Sequence, residues 1–197
     1  EADHANLVRA LERAVSANAP EPGLEMVAAL EIFWTVRAGW AEGHRFAAAL
    51  LGTTDATSAA AGHVLVFVGS WHLFREELGE AEERYRQAQA LGERLGDERL
   101  LSRALHNLGG VDTRRESMEA ARAWVGRAIA IDRKLGNLHG VALGLNNLGL
   151  VADHLGESEV AADHYGESLA LLREIGDERV IPYLLDNLAM IHNRCGR

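Results

Sequence analysis

Nine histidines and 29 acidic residues are the raw material for chemistry in this chain, and their spacing decides what they can do. No pair is arranged as HExxH, and the scattered histidines do not combine with Cys195 at a zinc-site spacing, so no metal site is expected. Asp153-His154 and Asp163-His164 look like fragments of a proton relay. Adjacent residues on a helix point apart, however, so both read as solvated polar faces. The single lysine, Lys134, follows Arg133, which excludes a GxxxxGK[ST] phosphate loop. Gly109-Gly110 and the glycines between Gly140 and Gly149 form no GxGxxG after a strand and are not phosphate loops either. The sequence therefore predicts no catalytic residues, no cofactor and no enzyme.

What does recur is a set of polar columns. Four of them return every 40 residues: Arg99/His139/Arg179, His106/Asn146/Asp186, Asn107/Asn147/Asn187 and Arg114/His154/Arg194. An asparagine side chain donates and accepts at once, so a ladder of asparagines could hold the backbone of an extended peptide. The same side chains could instead bond neighbouring helices and fix their stacking angle. The arginine columns read more simply as solvated residues. Val66, Phe67 and Phe74 add apolar character to the early part of this surface, although core packing accounts for them as well.

The elements that must position these columns are visible in the same register. Leu145, Leu148, Val151 and Leu155 step by three and four, the mark of one helix face, and Val160, Ala161, Tyr165, Ala170 and Leu172 form the broader face of a second helix. Gly156, Glu157 and Ser158 lie between them, with Ser158 a candidate N-cap. Forty residues earlier the small and aromatic positions read Leu105, Leu108, Gly109, Ala121 and Val125, and forty earlier again Leu65, Val68, Gly69, Ala81 and Tyr85. Gly96-Asp97, Gly136-Asn137 and Gly176-Asp177 close successive units, the glycine suiting a left-handed helix end and the next residue capping the following helix. A fixed period of this length signals stacked helical hairpins.

The pattern Leu, two residues, Leu-Gly, then Ala, three residues, Tyr and a later small residue resembles the tetratricopeptide repeat. Gly69/Gly109/Gly149, Ala81/Ala121/Ala161 and Tyr85/Val125/Tyr165 carry the match, with Ala88, Ala128 and Ser168 at the third small position and Val125 a departure. The resemblance implies an all-α, right-handed superhelical array of about ten antiparallel helices, in which the first helix of each unit lines a concave groove. The 40-residue unit is longer than the usual repeat of about 34, and in this it resembles the arrays of peptide-sensing bacterial regulators and large signalling ATPases. Peptide-sensing relatives hold peptide backbone with comparable asparagines, which makes Asn107, Asn147 and Asn187, with His106, Asn146, Asp186, Arg114, His154 and Arg194 beside them, the expected partner-binding residues.

Composition bounds the partners. A net charge of −9 argues against a nucleic-acid or anionic-membrane surface, and one cysteine excludes an intramolecular disulfide, as in a reducing cytoplasm. The longest apolar run, Val64 to Val68, is far too short to span a membrane. Residues 1–57 are expected to form an N-terminal helix and a degenerate first repeat. Within them, 3–16, 24–40 and 42–51 read as helices, with a break at Asn18 to Gly23. Residues 58–197 hold three full units and the first helix of a fourth, placed at 177–193. The HVLVFV segment alternates like a strand, but the repeat register places it in a helix.

The opening EADHANLVRALERAV and the later LEMVAALEIFWTVRAGWAEGHRF are similar to the start of the repeat region in LuxR-type and SARP-type signalling-ATPase transcriptional activators, through Asp3, Asn6, Leu7, Ala10, Leu11, Phe33-Trp34 and Glu42-Gly43. That similarity implies a sensing or restraining segment of a larger regulator, its partner a peptide, a protein or another domain of the same polypeptide. The alternative is a free-standing scaffold or peptide receptor. The last helix exposes one further expectation: Leu188, Ile191 and their apolar neighbours await a covering partner, either a second copy of the chain or continuing sequence.

Overall fold

The structure, a computed structural model, describes residues 2–17, 19–178 and 180–194. Among these every regular element is helical: α1 (Ala2–Ser16), α2 (Pro20–Ala29), α3 (Glu31–Phe33) running into a π-helical segment (Trp34–Ala38), α4 (Trp40–Leu51), α5 (Ala59–Phe74), α6 (Leu78–Leu95), α7 (Glu98–Arg114), α8 (Met118–Leu135), α9 (Leu138–His154), α10 (Ser158–Glu174) and α11 (Ile181–Arg194). Residues 1–104 and 105–197 form two compact units.

In the first unit α1, α2 and α4 pack together, α2 and α4 each meet α5, and α5 pairs with α6. The core holds Leu11, Leu24, Val27, Trp34, Leu50, Phe67 and Tyr85, all essentially inaccessible. Ser58 caps α5 by accepting from the Ala61 N–H at 3.1 Å, and the HVLVFV segment is helical, as the register requires. Here the early part of the chain departs from expectation. The single helix expected over 24–40 is three pieces, because the chain turns at Leu30 and widens into π geometry from Trp34, which gives eleven α-helices among the described residues rather than ten. The expected break at Pro20 is instead a helix start. Proline suits the first helical position, where the missing N–H would have had no intrahelical acceptor.

In the second unit, helices pair in sequence: α8 with α9, α9 with α10, and α10 with α11. Small residues set the approach. A Cβ placed on Gly149 would lie 2.6 Å from the Tyr165 ring, one on Gly109 2.5 Å from Val125, and, in the first unit, one on Gly69 2.6 Å from Tyr85. Burying Tyr85 and Tyr165 completely contributes about 1.5–3 kcal/mol each. Ser168 is also inaccessible, but its hydroxyl donates to the Ala142 carbonyl at 2.7 Å and so carries no desolvation penalty.

The joints repeat as well. Gly96 and Gly136 adopt the left-handed conformation at helix ends, and the following N–H groups reach back to the Gly92 and Asp132 carbonyls at 2.9 Å. Asp97 and Asn137 then cap α7 and α9, accepting from the Leu100 and Gly140 N–H groups at 3.0 and 3.2 Å. The third joint differs. Pro182 sits in the first turn, α11 begins only at Ile181, and Asp177 pairs with His139 at 3.0 Å rather than capping a helix at once. Ser158 is likewise not a cap: it is the first helical residue of α10, behind Glu157. On α11 the expectation of an uncovered Ile191 is also corrected. Leu184 and Ile191 are buried against α10 with Leu188 partly buried beside them, and the exposed apolar residues are Tyr183, Leu185 and Met190.

Candidate partner-binding face

The columns foreseen in the sequence fall at matching positions on α7, α9 and α11, the first helices of successive repeats. Within the second unit His106 is half-buried and its Nε2–H donates to Asp132 Oδ2 at 2.7 Å. Asp132 is only 1% exposed, and its other oxygen accepts from Asn137 Nδ2 at 2.8 Å. In the neutral ring this leaves His106 Nδ1 as an acceptor. It is buried and, among the described residues, has no hydrogen-bond partner; the same is true of Asn146 Oδ1 at the next position of the column. Asp186, the third member, is exposed.

Asn107, Asn147 and Asn187 are all half-buried, so each amide lies at the boundary between helix packing and solvent. Arg114 and His154 are exposed, and the Arg194 side chain lies outside the described residues. Arg179 also lies outside them, while its column neighbours divide: Arg99 is exposed and His139 is held by Asp177. The apolar residues separate in the same way. Val66 and Phe67 are core, whereas Phe74 is 69% exposed and stacks on Trp40 with 5.8 Å between ring centroids.

The first unit contains a polar cluster that column reading missed. Arg103 grips both carboxylate oxygens of Glu31, at 2.8 and 2.7 Å, and donates to His63 Nδ1 at 3.0 Å. Arg103 and His63 are themselves 40 residues apart, so the register held a signal for that pair; Glu31 lies outside the register and gave none. Burial, followed by the Arg103 guanidinium, holds His63 below the ordinary imidazole value. A cleft of about 370 Å³ in the same unit is lined by His44 and His72, whose rings meet edge to face at 5.5 Å. Burial and then His72 lower the His44 pKa, and His72 itself bonds Glu77 at 2.7 Å. Among the described residues no three His, Cys, Asp or Glu side chains converge as metal ligands.

Helical hairpins with a glycine-on-aromatic crossing, repeated at fixed spacing, define a helical-repeat scaffold. The chain belongs to the tetratricopeptide repeat family, which matches residues 58–134 and 100–174, together more than half of its length. A search of curated proteins gives no match. Among solved structures the fold is similar to BtubC (BKLC) from P. vanneervenii, with TM-score 0.77 at 14% identity, covering 97% of this chain and 84% of that one. It is also similar to a Rap protein complexed with competence and sporulation factor, with TM-score 0.75 at 13% identity over 88% of this chain; there the chain spans about half of the relative, 48%. MamA is a third, with TM-score 0.61 at 17% identity, covering 87% of this chain and 84% of that one. At these identities the likeness is one of fold. Among the described residues no helix is long and apolar enough to cross a membrane.

Proposed function

We propose that this chain is a protein-interaction module that holds an extended segment of a partner along the first-helix face of α7, α9 and α11. The observation that carries this is the pair of buried, unpartnered acceptors in one column, His106 Nδ1 and Asn146 Oδ1. A buried acceptor without a donor costs about 1–3 kcal/mol, and small side-chain adjustments that bring it to a partner's N–H groups recover that loss on binding. Beside it, the half-buried Asn107, Asn147 and Asn187 offer both donors and acceptors at a 40-residue interval. The likeness in fold to a Rap protein solved in complex with competence and sporulation factor supports the reading.

In the finer form of this proposal the module is the cytoplasmic sensing segment of a larger ATPase-type transcriptional regulator. The similarity of the opening stretch to that group supports it, and a Walker A motif in the reading frame upstream of Glu1 tests it. The second reading is a free-standing scaffold or peptide-binding receptor, which the lack of a Walker A motif in that upstream frame would select.

Selecting peptides against the whole chain by display, then titrating them onto the triple variant Asn107→Ala, Asn147→Ala, Asn187→Ala, tests the binding face. Selected peptides should bind the parent and lose about tenfold or more on the variant, at about 1 kcal/mol per lost bond. Unchanged affinity on a folded variant would remove these asparagines from the binding face, and unfolding of the variant would assign them to helix stacking.

A further inference from the structure

The outward face of α11 differs from the same face of every earlier first helix. Leu65, Leu105 and Leu145 are 4%, 0% and 2% exposed, whereas Leu185 at the matching position is 44% exposed. In each earlier repeat the second helix of the hairpin covers this face. There, a residue sixteen positions after the glycine lies on it: Tyr85 on Gly69, Val125 on Gly109 and Tyr165 on Gly149. On α11 the glycine position is Ala189, and it too is exposed. The helix is nevertheless firmly docked, since Leu184 and Ile191 are buried on α10.

The earlier hairpins show what fits there. A Cβ at the glycine position would sit 2.5–2.6 Å from the tyrosine or valine that covers it, closer than real contacts allow. Ala189 already carries that Cβ, so a covering helix must place alanine, serine or glycine opposite it. The charge at the next contact follows from α7 and α8. There, His106, three residues before Gly109, meets Asp132, seven residues after Val125. On α11 the residue three positions before Ala189 is Asp186, exposed and acidic. A basic residue at the matching position of the cover would pair with that carboxylate, whereas an apolar or acidic one would leave it desolvated or repelled.

We infer that the face of α11 formed by Leu185, Asp186 and Ala189 docks an amphipathic partner helix. The helix runs antiparallel to α11, with a small residue opposite Ala189 and an arginine or lysine seven residues later opposite Asp186. Asp186 is also the third member of the His106/Asn146/Asp186 column, so the test leaves the asparagine column of the proposed binding face, Asn107, Asn147 and Asn187, untouched and reads the α11 face apart from it.

The probe is a synthetic copy of α10 (Ser158–Glu174), stapled between its exposed positions 163 and 167 and carrying Tyr165→Ala and Leu172→Arg. Isothermal titration onto the whole chain should show this peptide binding about tenfold more tightly than the same peptide with Leu172→Glu. Asp186→Lys in the chain should reverse that order, and a peptide that keeps Tyr165 should bind more weakly than its alanine counterpart. Equal affinities, an order that Asp186→Lys does not reverse, or no binding by any peptide would each overturn the inference. So would concentration-dependent dimerisation of the chain that Ala189→Glu abolishes, because the face would then belong to a second copy.

Discussion

Gly149 lies flat against the ring of Tyr165, with room for a hydrogen and none for a methyl group: a Cβ there would approach both Cδ1 and Cε1 to 2.6 Å. The contact closes the α9–α10 hairpin, and both residues are fully or nearly fully inaccessible. Gly149→Val should therefore destabilise the protein by about 1–3 kcal/mol through overpacking. Chemical denaturation would measure it, and an unchanged midpoint would mean that the hairpin tolerates a wider crossing.

The turn between the two helices of a repeat makes a second prediction. Its left-handed position is Glu76, Glu116 and then Gly156, with φ of 59°, 59° and 77°. Only glycine adopts that conformation without strain, so Glu116→Gly should be neutral or stabilising by up to about 1 kcal/mol, and Gly156→Ala should destabilise by a similar amount. Thermal melts of the two variants should shift in opposite directions or, for Glu116→Gly, not fall. Matching losses in both would show that the turn strain is absent.

A third concerns Asp132, the buried carboxylate shared by His106 and Asn137. Asp132→Ala removes the acceptor for both and should cost about 1–3 kcal/mol, since the half-buried His106 ring and the Asn137 amide lose their partner. Asp163→Ala on the exposed face of α10 is the comparison and should stay within about 0.5 kcal/mol. Equal effects from the two would remove Asp132 from the structural core.

Stability should also depend on pH through His63. Its folded pKa lies below the ordinary 6.5, because burial and then Arg103 disfavour the imidazolium, while Asp97 and Glu31 pull the other way without prevailing. Below about pH 6.5 the unfolded chain therefore binds the proton that the folded chain resists. The stability associated with the neutral ring is present above that pH and is lost as pH falls towards the folded value. His44, lowered by burial and His72, acts in the same direction. His63→Gln keeps an acceptor for Arg103, and melts between roughly pH 7.5 and 5 should show it losing less than the parent across the imidazole range. A loss as steep as the parent's would place the dependence elsewhere.

How much of this was legible in the sequence follows from the range of each interaction. The contacts of Gly69, Gly109 and Gly149 are made within one hairpin, and periodicity displays them because each recurs in register. The same holds for the caps at Asp97 and Asn137. Leu24 to Trp40 carries no such register, and its pattern fits one helix. The turn at Leu30 and the π segment at Trp34 go with tertiary packing, in which Trp34 is buried against Gly43. At the proposed binding face the register gave positions but not partners. His106 meets Asp132, while the matching pairs Val66/Gly92 and Asn146/Leu172 have no charges to suggest such a contact. Arg103 and Glu31 meet across 72 residues, beyond the reach of any repeat pattern.

Asn137 uses its side-chain amide twice, donating to Asp132 through nitrogen and accepting from the Gly140 N–H through oxygen. A line of hydrogen bonds thus runs from the His106 ring through the buried carboxylate to the first turn of α9. The Gly140 amide proton is in effect a remote gauge wired to the column of proposed contact residues. A ligand that rotates or recruits His106 should change how quickly that proton exchanges with solvent, without touching Gly140 at all. A single backbone resonance would then read occupancy from the far end of the wire.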